Sequence, residues 1–168
     1  DIGNVSVDTM QVDGTFTLDQ PILFDVPFAR IEAEVAIADG AATIRTLEGT
    51  GDGFTLTGSG VFGLGVDDAS DLRYRLVAES LVEPAKVADL PLTGAATTEG
   101  RITGTRADFL VTGTVAGDQL AYGDDVAAGK VTAQYAVRVP DFDVDRVDVQ
   151  SSIDGQQVQV AGQVLPVV

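Results

Sequence analysis

The chain reads as an all-β protein built on a mainly antiparallel sheet with one short helix, and three observations predict this. Apolar residues recur with period two over long stretches. Valine is the commonest residue and threonine is abundant, both β-branched and suited to a pleated, half-buried surface. Nineteen glycines, many in Asp-Gly and Gly-x-Gly clusters, supply closely spaced turns and bulges.

The alternation is clearest at residues 130–139. There Val131, Ala133, Tyr135, Val137 and Val139 oppose Lys130, Thr132, Gln134 and Arg138. Residues 30–38 set Ile31, Ala33, Val35 and Ile37 against Arg30, Glu32 and Glu34. Leu72, Tyr74, Leu76 and Ala78 alternate with Arg73, Arg75 and Glu79. Such alternation means a strand with one dry and one wet face, as antiparallel sheets have. Further strands are expected at 5–7, 14–18, 22–26, 41–47, 54–62, 93–104, 109–115, 119–122, 146–152 and 156–164. The turns between them, notably Asp39-Gly40, Gly51-Asp52-Gly53, Gly123-Asp124-Asp125 and Asp154-Gly155, are short enough for hairpins and a meander. The helix is expected at residues 83–90, where Pro84 sits early, Val87 and Leu90 are three apart and Pro91 stops the turn.

At 168 residues with no linker or low-complexity tract, residues 1–168 form a single β-repeat segment. Phe54-Thr55-Leu56-Thr57-Gly58, Phe109-Leu110-Val111-Thr112-Gly113 and Val158-Gln159-Val160-Ala161-Gly162 share the form apolar-x-apolar-x-Gly, with starts 55 and 49 residues apart. This suggests stacked β units of about 50 residues, around 41–66, 93–123 and 146–168.

Twenty-six acidic against ten basic residues give a formal charge of −16. That balance repels phosphate backbones and so disfavours nucleic acid. With no basic cluster along the chain, it also disfavours adsorption onto an anionic membrane. The charge is expected to form a solvated outer face. With no Cys and no His, the usual zinc sites and any Ser–His or Cys–His nucleophile pair are excluded. Disulfides are absent, which leaves an oxidising compartment permitted. The chain opens at Asp1-Ile2-Gly3 without an initiator Met, a signal peptide or an 18-residue apolar run, so if it acts in a cell envelope its anchor and export signal are expected outside this segment.

Asp141-Phe142-Asp143-Val144-Asp145-Arg146 superficially resembles a calcium loop, but Arg146 stands where the loop needs glycine. Extended, its first and third carboxylates would lie about 13 Å apart, too far to share one ion. Asp67, Asp68, Asp71, Asp124 and Asp125 read as turn acids that bond local backbone. No metal and no cofactor is expected. No Trp is present to stack on a sugar, and the acids cluster in turns, so carboxylate-pair catalysis is not expected either. Gly58-Ser59-Gly60 opens no helix and reads as a bulge or twist, not a phosphate cradle. The apolar stripe remains. It suits the core of a closed β-sandwich. Its few aromatics and many small residues suit equally an open groove not filled by its own side chains.

Residues 71–81, the turn to Leu90-Pro91-Leu92-Thr93-Gly94, Glu99-Gly100-Arg101-Ile102-Thr103-Gly104, Phe109-Leu110-Val111-Thr112-Gly113 and Asp118-Gln119-Leu120-Ala121-Tyr122-Gly123 carry a family likeness that continues along the strand to Val139-Pro140-Asp141. Over roughly residues 40–165 the chain resembles the repeating body of the AsmA-like superfamily and its TamB-type translocation and assembly modules. The resemblance implies a curved antiparallel sheet forming an open, taco-like trough with a hydrophobic interior, in a periplasmic, inner-membrane-anchored protein. It implies a non-catalytic bridge segment that binds or conducts phospholipid acyl chains between the membranes. An alternative partner is an unfolded outer-membrane protein strand, which could pair with an exposed sheet edge. A structural or adhesive β-sandwich module is the reading from another class. Membrane contact is expected only through regions outside this segment. The expected trough lining is Ile31, Val35, Ile37, Phe54, Leu56, Leu72, Tyr74, Leu76, Phe109, Val111, Val131, Tyr135, Val137, Val158 and Val160.

Overall fold

Twelve strands account for nearly all of the described backbone. The computed structural model describes residues 12–23, 26–82, 91–123, 126–140, 146–154 and 156–163. The strands are β1 (Val12–Asp19), β2 (Ile22–Leu23), β3 (Val26–Pro27), β4 (Arg30–Ala38), β5 (Ala41–Gly51), β6 (Phe54–Gly63), β7 (Ser70–Ala78), β8 (Leu92–Thr105), β9 (Asp108–Tyr122), β10 (Val126–Pro140), β11 (Arg146–Ile153) and β12 (Gln156–Gln163). Ten of them make one antiparallel sheet in the order β1-β4-β5-β6-β7-β8-β9-β10-β11-β12. From β4 onward each strand pairs with the next in sequence, which is the expected meander. β1 and β12 are the edges, and no pairing joins them among the described residues, so the sheet is open.

Two boundaries differ from expectation. The single strand expected at 22–26 is instead the two-stranded β2–β3 ribbon, set apart from the large sheet. Pro21 and Pro27 bracket it, and a prolyl nitrogen cannot donate to a ladder. The strands expected at 109–115 and 119–122 are one continuous β9. Gln119 takes a positive φ of 51° there, opposite Gly94 at 111°, so an irregularity at Ala95 absorbs the kink that looked like a break. The helix expected at 83–90, the strand at 5–7 and the Asp141–Asp145 acids lie outside the described residues.

The turns are made by the residues that tolerate their geometry. Asp39 and Gly40 both have positive φ, 50° and 74°, the conformation that matches the right-handed twist of a two-residue hairpin. The repeated apolar-x-apolar-x-Gly segments fall on β6, β9 and β12, three strands apart, so successive copies run in opposite directions.

The densest packing lies at one end of the sheet. Phe28, Ile31, Phe54 and Ala78 are buried together, with Val26, Leu47, Leu56, Leu76 and Leu81 against them. The Phe28 and Phe54 rings meet edge to face at 5.1 Å, an arrangement aromatic quadrupoles favour. The segment carrying Phe28 is pinned by backbone bonds from Phe28 N to Pro21 O (2.9 Å) and from Ala29 N to Thr50 O (2.7 Å). It folds over Gly49, where a side chain would collide with the Phe28 ring. At the other end Phe109 and Ser70 are buried, and the Ser70 hydroxyl accepts a 3.0 Å bond from Gly63 N, which meets the need of a buried polar group. Phe54→Ala empties the middle of the larger cluster. We expect it to cost about 3 kcal/mol, read as a lower denaturant midpoint at unchanged slope; a loss below about 1 kcal/mol would show that these rings do not anchor the sheet.

Candidate functional site

In an antiparallel ladder, residues directly opposite one another share a face. The register can therefore be followed across the sheet. One row runs Gly14, Val35, Ile44, Gly60, Leu72, Ile102, Val111, Val137, Val147, Gly162. The next runs Phe16, Ala33, Leu47, Gly58, Tyr74, Gly100, Gly113, Tyr135, Val149, Val160, and a third runs Leu18, Ile31, Gly49, Leu56, Leu76, Thr98, Val115, Ala133, Ser151, Val158. Phe54 and Val131 fall in a row beyond Leu56, and Ile37 and Phe109 fall beyond Val35 and Val111. All fifteen residues expected to line a trough thus share one face of the sheet by backbone register.

This phase survives two bulges, the first of which shows in the ladders on both sides of β5. The ladder shifts between Glu34 and Val35, between Ile44 and Leu47, and between Thr93 and Ala95. Without the one extra residue of this bulge, at Arg45, Ile44 and Leu47 could not both lie on the apolar side, because one step inverts a strand's faces. The bulge keeps the face continuous and turns Arg45 to the polar side. There its guanidinium donates to Asp13 (2.6 and 3.0 Å) on β1 and to Glu34 (2.8 Å) on β4.

The apolar face curls inward. Tyr74 on β7 and Tyr135 on β10 are separated by three strand spacings, about 14 Å in a flat sheet. Their hydroxyls nevertheless hydrogen-bond directly, and Thr98 Oγ1 lies 2.7 Å from the Tyr135 hydroxyl. The Phe62 and Phe109 rings, also three strands apart, approach to 6.2 Å. Both contacts pass over small residues. A Cβ on Gly100 would lie 2.7 Å from the Tyr74 hydroxyl, and one on Gly113 would lie 2.5 Å from that of Tyr135. Glycines on this face are the spaces into which the long rings lie down, a role the sequence reading did not assign them.

The Tyr74–Tyr135–Thr98 hydroxyls place a polar centre in the middle of the apolar face. Burial, the hydrogen bond shared with Tyr135 and the charge that neighbour carries when ionised all push the Tyr74 phenol above its ordinary value. The neutral phenol is therefore the form the fold favours.

The opposite face is charged and hollow. A twisted sheet is saddle-shaped, so each side is concave along one diagonal. A groove of about 1110 Å³ crosses the polar side from β4 to β10 and includes Glu32, Arg45, Glu48, Arg73, Arg75, Glu99 and Arg101. A second, of about 700 Å³, adjoins it at Arg75 and Glu99. Three arginines distant or alternate in sequence are brought side by side here, whereas the sequence reading found no basic cluster. Arg73-x-Arg75 in so acidic a chain was the available signal. Asp71 is held below the usual carboxylate range by hydrogen bonds from Arg101, and Asp108 likewise by Arg138. Asp68, as expected of a turn acid, accepts a 2.8 Å bond from Gly65 N. Among the described residues no group of three or more acids gathers as a metal site would require.

Tyr135→Phe removes the hydroxyl that bonds both Tyr74 and Thr98. It should cost about 1 kcal/mol and lower the Tyr74 titration toward its ordinary value in an ultraviolet absorbance titration. Because the folded value is raised, the stability this phenol contributes is complete below the unfolded value of about 10. It is lost as pH rises from there toward the folded value. Unchanged alkaline unfolding in Tyr74→Phe would refute that linkage.

Comparison of the chain with protein-family models, curated proteins and solved structures returns no match.

Proposed function

We propose that this segment is a non-catalytic carrier whose apolar face holds phospholipid acyl chains, as part of a periplasmic bridge between inner and outer membranes. The observation that carries the reading is the continuity of the apolar rows across ten strands of a sheet that stays open at both edges. Each methylene transferred from water to such a surface gains about 0.8 kcal/mol. A smooth face provides this without recognising any particular lipid. The inward curl lets a guest chain touch side chains from several strands at once, while the polar side stays wet.

The exposed edge favours a second reading, a chaperone for outer-membrane protein strands. On β1, Phe16 is 48% and Leu18 51% exposed, both on the apolar face and both beside a row of backbone groups with no ladder partner among the described residues. An extended client strand could add there and continue the face.

Lipid extraction and native mass spectrometry of the purified segment separate these. The carrier reading expects co-purifying phospholipid, lost in Val137→Glu or Val111→Glu while far-ultraviolet dichroism keeps its β signature. Undiminished lipid in both folded variants would defeat it. Saturable binding of an alternating apolar peptide, abolished by Phe16→Glu and accompanied by no lipid, would favour the chaperone. A preparation that takes neither guest would leave a structural or adhesive module.

A further inference from the structure

Arg73 and Arg101 stand directly opposite one another on β7 and β8, and Arg75 follows Arg73 on the same polar face. Like charges directly opposed in a sheet are unfavourable. Here three of only ten basic residues are placed together in a chain of net charge −16. The neighbourhood neutralises them only in part. Arg101 Nε and Nη2 are taken by Asp71, which leaves its Nη1 side free. Arg73 faces Ser59 on its other flank and senses Asp71 only through space. Arg75 faces Thr57 and Glu99, yet among the described residues neither Arg73 nor Arg75 makes an ion pair within 4.0 Å or donates a side-chain hydrogen bond.

We propose that this cluster is a binding site for a phosphate group. Cross-strand neighbours lie about 5 Å apart, and alternate residues of one strand about 6.7 Å apart. Three guanidinium heads on flexible stems therefore reach one small anion from two strands. A carboxylate offers two oxygens and saturates a single guanidinium fork. A phosphate offers three or more and accepts from two forks together, with the spare edge of Arg101 as a third donor. The polar groove leaves room above the cluster, and Thr57, Ser59, Thr112 and Thr114 line it with further hydroxyls. Glu99, facing Arg75, is the internal anion a ligand must outcompete. The site lies on the side of the sheet away from the apolar rows, so it does not depend on the carrier reading. It takes a different molecule from any acyl chain held there.

The test follows the arginine Nε–Hε resonances of the intact chain during titration with inorganic phosphate. Saturable shifts are expected at Arg73 and Arg75, whose Nε–Hε groups hold no carboxylate among the described residues, and not at Arg30 or Arg138, whose Nε groups already do. The double variant R73Q/R75Q should weaken binding at least tenfold, and Glu99→Gln should tighten it about two- to fivefold, the scale of an exposed ion pair. Flotation with phosphatidylglycerol vesicles but not phosphatidylcholine vesicles, competed by inorganic phosphate, would assign the group to a lipid headgroup. Phosphate binding without flotation would assign it to a soluble phosphate ester. Linear shifts of equal size at every exposed arginine, or full affinity in folded R73Q/R75Q, would overturn the site.

Discussion

The constraint on which the molecule depends is phase. Side chains alternate with period two, so the apolar face exists only while ten strands keep a common register, and a slip of one residue anywhere would turn every strand beyond it inside out. Backbone ladders alone do not choose between the two phases. The choice is made by burial of Ile31, Phe54 and Ala78 at one end and Phe109 at the other, and is defended on the polar side by diagonal ion pairs. Where the chain has a residue to spare, a bulge absorbs it: Arg45 is set aside in β5 so that Ile44 and Leu47 stay in line.

Among the described residues the main sheet has no second sheet of its own size to bury its dry side against. It answers by bending and by laying its few large rings over its own glycines. Tyr74 over Gly100 and Tyr135 over Gly113 cover backbone that would otherwise meet water, and their joined hydroxyls tie together strands that share no ladder. Phe28 over Gly49 does the same near the β1 edge. The burial that results is partial almost everywhere, and Ala78, at 2% exposure, is the most enclosed of the buried apolar residues. Partial burial leaves the apolar face accessible, which the carrier proposal needs and a fully collapsed interior would not provide.

Much of this was legible in the residues. Strand positions and the membership of the apolar face follow from alternation and turn chemistry, and residues 30–38 were read to the residue. What escaped depended on distance across the sheet. No local pattern shows that Tyr74 and Tyr135, 61 positions apart, share a hydrogen bond, because that requires the register of the two intervening strands. The opposition of Arg73 to Arg101 is hidden in the same way. Pro21 and Pro27 are plain in the sequence, but the β2–β3 ribbon they delimit and the Phe28 that follows it into the core are seen only in the fold.

The ion pairs Asp71–Arg101 and Asp108–Arg138 share one sequence separation, 30 residues, and one geometry, an aspartate diagonal to the arginine on the neighbouring strand. The second pair repeats the first after 37 positions and one full hairpin. A two-strand step preserves both strand direction and facing, so gene-level gain or loss of a hairpin would lengthen or shorten the sheet by about 9.6 Å without inverting anything downstream. Evolution could thereby tune the span of such a protein in even increments, whereas an odd strand would reverse the direction of every strand that follows.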